Sequence, residues 1–240
     1  MIRLDQVHIR YPVHYAQRRT LREFFRLAGK RVDDGIDALQ DISLKIESGD
    51  RVAVVGLNGA GKSTLLRVLA GILPPSQGSV VIEGRPSPLF ELATGFEMDQ
   101  SGWENIRIRG ILLGLSRKEI DDIKLEVAEF AGLGKFIDLP LQTYSSGMLM
   151  RLAFAVSTAV RPDILLLDEV VGTGDLQFAR KAQQRMREFA NQGRILVFTS
   201  HNLGLARELC TRGLWLEHGR IVMDGPVDET LSAYERTAGP

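Results

Sequence analysis

Several features that define whole classes of proteins are missing from this sequence. Its 240 residues include a single cysteine, Cys210, which excludes an internal disulfide and favours a reducing compartment. No stretch approaches the roughly 18 consecutive apolar residues that a membrane-spanning helix requires. The first residues, Met1–Asp5, lack the apolar core of a signal peptide. A role at a membrane would therefore depend on a partner protein.

The sequence also has no excess of either charge. Thirty Lys and Arg residues balance thirty Asp and Glu residues, so the formal net charge is zero. This balance offers no electrostatic argument for nucleic acid as a partner. The apolar share of 44% is ordinary for a globular protein, and the length is sufficient to bury a full core. The informative features are therefore local motifs.

The most informative motif is the glycine-rich run Gly56–Thr64. It matches the phosphate-binding pattern G-x-x-x-x-G-K-[ST] and lies between a β-branched apolar run at 51–55 and a predicted helix from 62 onward. Glycines let the backbone approach phosphate oxygens, and N–H groups at a helix N-terminus bind anions. We expect Lys62 to reach the β- and γ-phosphates and Ser63 to bind Mg²⁺. The predicted nucleotide-binding residues of this loop are Asn58, Gly59, Ala60, Gly61, Lys62, Ser63 and Thr64.

Two later apolar runs are followed by residues with phosphate-site chemistry. Ile164–Leu167 precedes Asp168 and Glu169, and Ile195–Phe198 is followed closely by His201. Ligands of open α/β sheets bind at the carboxyl ends of parallel strands. We therefore expect Asp168 to hold Mg²⁺ through water, Glu169 to act as general base and His201 to hydrogen-bond the γ-phosphate. For an isolated histidine, the alternative is a structural hydrogen bond to a loop carbonyl.

The segment Tyr144–Met148 precedes a predicted helix and has two interpretations. Ser145 or Ser146 suits the N-cap of that helix. A hydroxyl, the Gly147 N–H group and the helix dipole would also suit a second phosphate clamp. Such a clamp would lie in a helical region, away from the glycine-rich loop of the same chain. This second interpretation therefore requires another subunit to bring the two together.

The order of the predicted elements indicates an α/β protein with a helical insertion. Strands alternate with helices before and after residues 95–160, which are themselves mostly helical. We predict a P-loop NTPase core with an antiparallel β subdomain, formed by 1–94 and 161–240, and an inserted helical lobe at 95–160. The predicted helices of that lobe are 104–115, 117–131 and 148–159.

Two features near the N-terminus leave alternatives open. Tyr11 follows the first predicted strand, where its ring either stacks on a nucleobase or caps the core, and Tyr15 is a second candidate for the same role. Residues 18–31 carry six positive side chains and one negative one, a net +5, with apolar residues at helical spacing. A basic amphipathic helix of this kind either contacts anionic lipid or an acidic partner surface, or packs on its own domain.

Together these motifs resemble the nucleotide-binding subunit of an ABC transporter, over essentially the whole chain. The resemblance implies ATP and Mg²⁺ as cofactors and a head-to-tail dimer of two copies around two ATP molecules. It implies that Tyr11 stacks on adenine, and that Asp175 communicates across the dimer. It also implies that Ser145, Ser146 and Gly147 complete the ATP site of the partner copy. An integral membrane channel is the further partner implied, with this chain on the cytoplasmic face of the membrane and no nucleic acid bound.

Departures from the common pattern resemble one branch of that family. The usual signature Leu-Ser-Gly-Gly-Gln is replaced by Tyr144–Met148, and Val170–Asp175 differs from the commoner Pro-Thr-Ser-x-Leu-Asp. The glutamine that normally links Mg²⁺ to the helical lobe is not evident, and Glu91 is the nearest polar candidate for that metal-site role. With the basic insert at 12–37, these features resemble ATPase subunits that export lipid-linked polysaccharide such as O antigen, capsule or teichoic acid.

This branch implies further details and leaves two other functions open. A cleft between the core and the helical lobe, near 91–104, should receive a helix of the channel, and segment 18–31 is expected to face the membrane or the channel entrance. Because the sequence ends at Pro240, we expect no C-terminal carbohydrate-binding domain. The alternatives are an ABC exporter ATPase for another lipid or a drug, and a soluble ABC ATPase that acts on DNA or ribosomes. Soluble members usually carry two cassettes or a long coiled coil, which this sequence lacks.

Overall fold

The computed structural model describes residues 1–12, 35–89, 95–159, 162–168, 176–190, 194–199 and 202–238. Several residues singled out above lie outside these ranges, and their predicted roles stay predictions: Tyr15, segment 18–31, Glu91, Glu169, Asp175 and His201. In the described part of the chain, no helix is long and apolar enough to cross a bilayer.

The strands and helices follow one another in a regular order. They are β1 (Ile2–Pro12), β2 (Gly35–Ile46), β3 (Arg51–Val55), α1 (Lys62–Leu69), β4 (Gln77–Ile82), β5 (Pro86–Pro88), α2 (Gly102–Leu112), α3 (Arg117–Ala131), α4 (Ser146–Ala159), β6 (Ile164–Asp168), α5 (Leu176–Ala190), β7 (Ile195–Thr199), α6 (Leu203–Leu209), β8 (Arg212–Glu217), β9 (Arg220–Pro226) and α7 (Val227–Ala238). Two short 3₁₀ helices, Gly134–Asp138 and Leu141–Thr143, lie between α3 and α4.

The described strands form two sheets. One is antiparallel with the order β2-β1-β4, and the other has the order β5-β6-β7-β3-β8-β9. The second sheet is parallel except for its last pair, β8 and β9. Parallel strands covered on both faces are continuously apolar, which explains the sequences of β3, β6 and β7. Val54 is in register with Thr199, and Thr199 with Asp168, so the carboxyl ends of these three strands meet at one edge.

Side chains alternate between the two faces of β3, and each face has its own core. Val52 and Val54 pack in a buried cluster with β1, β2 and α1, whereas Ala53 and Val55 pack in a cluster with α5, α6 and α7. Each fully buried Leu, Ile or Phe side chain in such a cluster stabilises the fold by about 1.5–3 kcal/mol. The six-stranded sheet is therefore covered by the antiparallel sheet and α1 on one side and by helices on the other.

The helices between residues 102 and 159 have a separate apolar cluster. Ile106 of α2, Val127 of α3 and Leu152 of α4 are buried in it together. A capping box of Ser116 and Glu119 begins α3, and Gly132 ends it in the left-handed conformation. These terminal residues fix the ends of α3 through local contacts, while Ala153 and Phe154 of α4 pack in the buried cluster of the six-stranded sheet.

Most predicted elements are confirmed, with small shifts in their ends. The predicted helices 104–115 and 148–159 occur at 102–112 and 146–159, and the predicted helix 117–131 occurs at those residues. The first strand is longer than predicted, so Tyr11 lies inside β1 rather than after it. β5 was not predicted, because Pro86 and Pro88 cannot donate to a sheet ladder and are typical of edge positions.

Cys210 follows α6 and is buried. Burial raises the pKa of its thiol to about 12. The reactive thiolate is therefore scarce at neutral pH.

Candidate nucleotide-binding site

The glycine-rich loop joins the carboxyl end of β3 to the start of α1. Gly61 is the N-cap of α1 with φ 105°, and Gly56 has φ 153°. A Cβ added at Gly61 would lie 2.6 Å from Ala38 O, and one added at Gly56 would lie 2.3 Å from Leu216 O. Both positions therefore require glycine for conformation and for space. The N–H groups in the first turn of α1 have no acceptor within the helix, so they are available to an anion.

The turn between β8 and β9 is hydrogen-bonded to this loop. The Gly219 N–H donates to Ala60 O at 3.0 Å, and the Gln40 N–H donates to Gly219 O at 2.8 Å. Gly219 has φ 74°, and a Cβ there would lie 2.7 Å from Ala38 O. The loop is thus joined to both sheets by main-chain hydrogen bonds. Sequence reasoning missed this support, although the pair His218–Gly219 is a recognisable hairpin turn.

Lys62 is folded over the loop. Its Nζ donates to Gly56 O at 2.6 Å and to Leu57 O at 3.1 Å. An ammonium group has three N–H donors and no acceptor, so it suits carbonyl and phosphate oxygens equally. The positive charge is already held where the motif predicts the phosphates.

Asp168 lies across from the loop at the end of β6. Ser63 Oγ donates to Asp168 Oδ2 at 2.9 Å, and the hydroxyl of Thr199 donates to Asp168 Oδ1. Hydroxyl and carboxylate oxygens are the donors that Mg²⁺ prefers, so Ser63 and Asp168 together fit such an ion. The motifs predict this pair but not Thr199, which resembles any β-branched strand residue.

A cavity of about 430 Å³ brings most of the predicted residues together. This is within the usual size of a small-molecule site. Ala60 is buried behind the loop. Ile36 lines the cavity as well, although it is 62% exposed, and it was not predicted. The predicted residues that line the cavity are Asn58, Gly59, Gly61, Lys62, Ser63, Thr64 and Asp168.

Tyr11 lies near the end of β1, opposite a residue that lines the cavity. It is paired with Ile36 across β1 and β2 and packs against the buried cluster between the two sheets. This contact matches the core-capping alternative. Ile36 supplies an apolar side chain at the rim of the cavity, and the adenine contact of Tyr11 stays a prediction.

The segment Tyr144–Met148 forms the N-terminus of α4. Ser145 is the N-cap, since its Oγ accepts a hydrogen bond from Met148 N at 3.2 Å, which confirms that part of the prediction. Tyr144 is buried, and its hydroxyl donates to Phe136 O at 2.7 Å; burial raises its pKa. Ser145 and Ser146 are exposed, and a Cβ on Gly147 would come no closer than 3.9 Å to another group. The helix end therefore presents hydroxyls and N–H groups on an open surface.

Sequence comparison identifies relatives over nearly the whole chain. A family model described as ABC transporter matches residues 39–172. The O-antigen export system ATP-binding protein RfbE of Yersinia enterocolitica is 45% identical over 223 residues, which are 90% of this chain and 93% of that protein. RfbB of Myxococcus xanthus, an O-antigen export system ATP-binding protein, is 41% identical over 96% of this chain but only 56% of its own length.

Structural comparison gives the same fold. A solved dimeric ATP-binding cassette in a post-hydrolysis state, bound to ADP and Pi, has a TM-score of 0.76 at 22% identity, covering 95% of this chain and 99% of that chain. This likeness confirms the predicted α/β fold, a P-loop core with an antiparallel sheet and inserted helices. The family match spans more than half of the 240 residues and contains the glycine-rich loop, the segment 144–148 and Asp168. The chain therefore belongs to the ABC transporter family.

Proposed function

We propose that this chain is the ATP-hydrolysing subunit that powers export of a lipid-linked polysaccharide through a separate membrane channel. The observation that carries the ATPase part is the convergence of the glycine-rich loop, Lys62, Ser63 and Asp168 on one cavity. The cargo class rests on relatives such as RfbE of Yersinia enterocolitica and the teichoic acids export ATP-binding protein TagH of Bacillus cereus, which is 35% identical over 97% of this chain.

In this proposal ATP binds with its phosphates against the loop. The N–H groups of residues 58–64 and the Lys62 ammonium bind the β- and γ-phosphate oxygens, so Lys62 exchanges its carbonyl contacts for phosphate contacts. Ser63 and Asp168 would hold Mg²⁺, and Glu91 is a further candidate for that shell by sequence position. When bound, Mg²⁺ neutralises charge on the phosphates. Tyr11 and Ile36 are the candidates for contact with the base.

The proposed catalytic residues follow the carboxyl ends of β6 and β7. Glu169 comes directly after Asp168 and is proposed as the general base that takes a proton from the attacking water. His201 comes two residues after Thr199 and is proposed to hydrogen-bond the γ-phosphate. Asp168 and Thr199, which precede these residues in sequence, are in register at the same sheet edge, and Asp168 lines the cavity.

A second copy of the chain is proposed to complete each site. Ser145, Ser146 and Gly147 at the open end of α4 would bind the ATP held by the partner copy, with Asp175 at the same interface. The helix dipole and the N–H groups of the first turn favour a phosphate there. We also propose the division of the chain into a core of 1–94 and 161–240 and a helical lobe of 95–160, so that the lobe carries this clamp.

The membrane channel is proposed to dock on the helical lobe. A cleft of about 560 Å³ lies between α2 and α3, lined by Trp103, Ile120 and charged side chains of both helices. Leu125 at its edge is 68% exposed. Such a mixed apolar and charged surface suits an amphipathic helix of the channel. Segment 18–31 is proposed to contact the membrane or the channel, with the chain on the cytoplasmic face.

The first test uses Glu169→Gln, which removes the base but leaves the phosphate loop intact. With ATP and Mg²⁺, size-exclusion chromatography with light scattering should show a shift from monomer to dimer, because unhydrolysed ATP stays between two copies. Lys62→Ala in the same background should abolish the shift. An ATP-bound protein that stays monomeric even with its membrane partner would contradict the shared site. For the cargo, loss of the gene should remove surface polysaccharide, and Glu169→Gln should fail to restore it.

A further inference from the structure

β7 is an apolar strand that ends in one buried hydroxyl. Its first four residues, Ile195–Phe198, are buried and apolar, and the last, Thr199, is only 1% exposed. Valine has nearly the same volume as threonine and would avoid burying a polar group. A buried hydroxyl is costly unless it is hydrogen-bonded, so its contacts decide what it does here.

The contacts of Thr199 lead to the carboxylate of Asp168. The Thr199 hydroxyl donates to Asp168 Oδ1, and Leu167 O is 3.5 Å away. This contact follows from the sheet, because Asp168 of β6 and Thr199 of β7 are directly opposite each other in register. Side chains opposite each other on neighbouring strands emerge on the same face.

The two oxygens of Asp168 therefore have different donors. Oδ1 is held from within the sheet by Thr199, and Oδ2 accepts from Ser63 Oγ of the glycine-rich loop at 2.9 Å. The terminal torsion of an aspartate is otherwise broad and roughly two-fold, so it does not by itself select one oxygen. With Oδ1 fixed, Oδ2 is the oxygen that faces the loop.

We propose that Thr199 is a positioning residue for the metal part of the nucleotide site: its hydroxyl fixes Asp168 so that Oδ2 faces Ser63 and the bound ion. This inference rests on the proposed function, because the site that it orients is the proposed Mg²⁺–ATP site. Mutation of a residue that orients a metal ligand typically lowers metal affinity by about 10- to 100-fold. Thr199 is therefore expected to set how strongly Mg²⁺ supports nucleotide binding.

The experiment compares Thr199→Val with Thr199→Ser. A non-hydrolysable ATP analogue is titrated into each protein in EDTA and at increasing Mg²⁺ concentration. In each protein, Mg²⁺ should raise the affinity for the analogue. The Mg²⁺ concentration that gives half of this increase should be about 10- to 100-fold higher for T199V than for the wild type. The affinity of T199V for the analogue in EDTA should be unchanged. T199S should behave as the wild type, since it keeps the hydroxyl. In an Asp168→Asn background, T199V should add no further loss, because both changes act on one interaction.

A matched control is available in α7. Thr230 is also fully buried, and its hydroxyl donates to Gly213 O at 3.4 Å. Thr230→Val removes a buried hydroxyl without touching Asp168, so its Mg²⁺ dependence should equal that of the wild type. Thermal unfolding of every variant checks the fold, and Thr199→Ala replaces T199V if the latter does not fold.

Three results would overturn the positioning role. They are a T199V protein with wild-type Mg²⁺ dependence, a T199V protein weakened equally in EDTA, and a T199S protein that behaves as T199V. A wild-type protein whose nucleotide affinity ignores Mg²⁺ would overturn the proposed metal site itself, and the inference with it. If the nucleotide affinity of the wild type depends on Mg²⁺ and that of T199V depends on it equally, the inference fails while the proposed metal site stands.

Discussion

The two proposed phosphate-binding elements of this chain are built in opposite ways. The loop Gly56–Thr64 is held by distant parts of the chain, through the Gly219–Ala60 hydrogen bond and the close approach of Ala38 to Gly61. The side-chain hydrogen bonds of Tyr144 and Ser145 join residues nearby in the sequence, Phe136 and Met148, and the segment ends in an open surface. The loop Gly56–Thr64 therefore lines a preformed cavity, whereas the segment Tyr144–Met148 forms only one side of a binding site. A second surface must face it before it encloses anything.

The largest effect that would test this comparison is expected from Gly61→Ala. The new Cβ would meet Ala38 O at 2.6 Å with φ at 105°, so the loop must shift. We expect a loss of about 1–3 kcal/mol in the free energy of unfolding, together with loss of nucleotide binding, measured by denaturant unfolding and by titration with an ATP analogue.

Gly132→Ala is the matched control for that change. Gly132 also has positive φ, at 61°, but nothing lies within 4 Å of the added Cβ. It should cost about 1–2 kcal/mol through its left-handed conformation alone and leave nucleotide affinity unchanged. If both variants bind nucleotide as the wild type does, the loop is not preformed by its close contacts.

Gly147→Ala should separate the half site from the complete one. Alanine favours a helix over glycine by about 0.5–1 kcal/mol, and no group lies closer than 3.9 Å to the added Cβ. Stability should therefore be unchanged or slightly higher, and nucleotide affinity of the monomer should stay the same. Steady-state ATP hydrolysis should fall on the order of 100-fold, because the partner's phosphates are displaced by about 1 Å. Full hydrolysis by Gly147→Ala would show that this surface does not meet ATP.

The smallest effect is expected from Ser145→Ala. Loss of the N-cap bond to Met148 N should cost about 1 kcal/mol in the free energy of unfolding. Ser116→Ala, the equivalent change at the start of α3, should cost a similar amount. If Ser145 also binds the partner's ATP, only Ser145→Ala should weaken the ATP-dependent dimer of the Glu169→Gln protein. Equal dimerisation of the two variants would make Ser145 a helix cap alone.

The sequence was most informative where a motif is local and chemically unusual. The loop was identified because its glycines, Lys62 and Ser63 occur at fixed spacing, and Asp168 because a carboxylate after an apolar strand is rare. Thr199 gave no such signal, since a threonine that ends a β-strand is ordinary. The support from Gly219 is 159 residues away from Ala60 in sequence, and only the folded sheet order brings them together.

The local sequence pattern also did not predict the exact starts of two helices or the position of Tyr11. The predicted helices begin at 104 and 148, whereas the observed ones begin at Gly102 and Ser146. Glycine and serine are weak helix formers, but both lie in first turns, where caps and tertiary contacts decide. Tyr11 was expected after β1, but pairing with β2 continues through Pro12. Pairing with a distant strand, rather than any property of the residues themselves, extended that strand.

The central position of β3 has a consequence for how the protein is made. Its neighbours in the sheet, β7 and β8, begin 140 or more residues after it ends, as Ile195 is that far beyond Val55. At roughly 5–20 residues per second, a ribosome needs about 7–28 s to supply the first of them. During that interval a newly made apolar strand has neither edge paired in its final sheet. Synthesis of this chain should therefore depend on chaperones that bind exposed nascent strands. ATP should become able to bind only after the hairpin of β8 and β9 has left the ribosome.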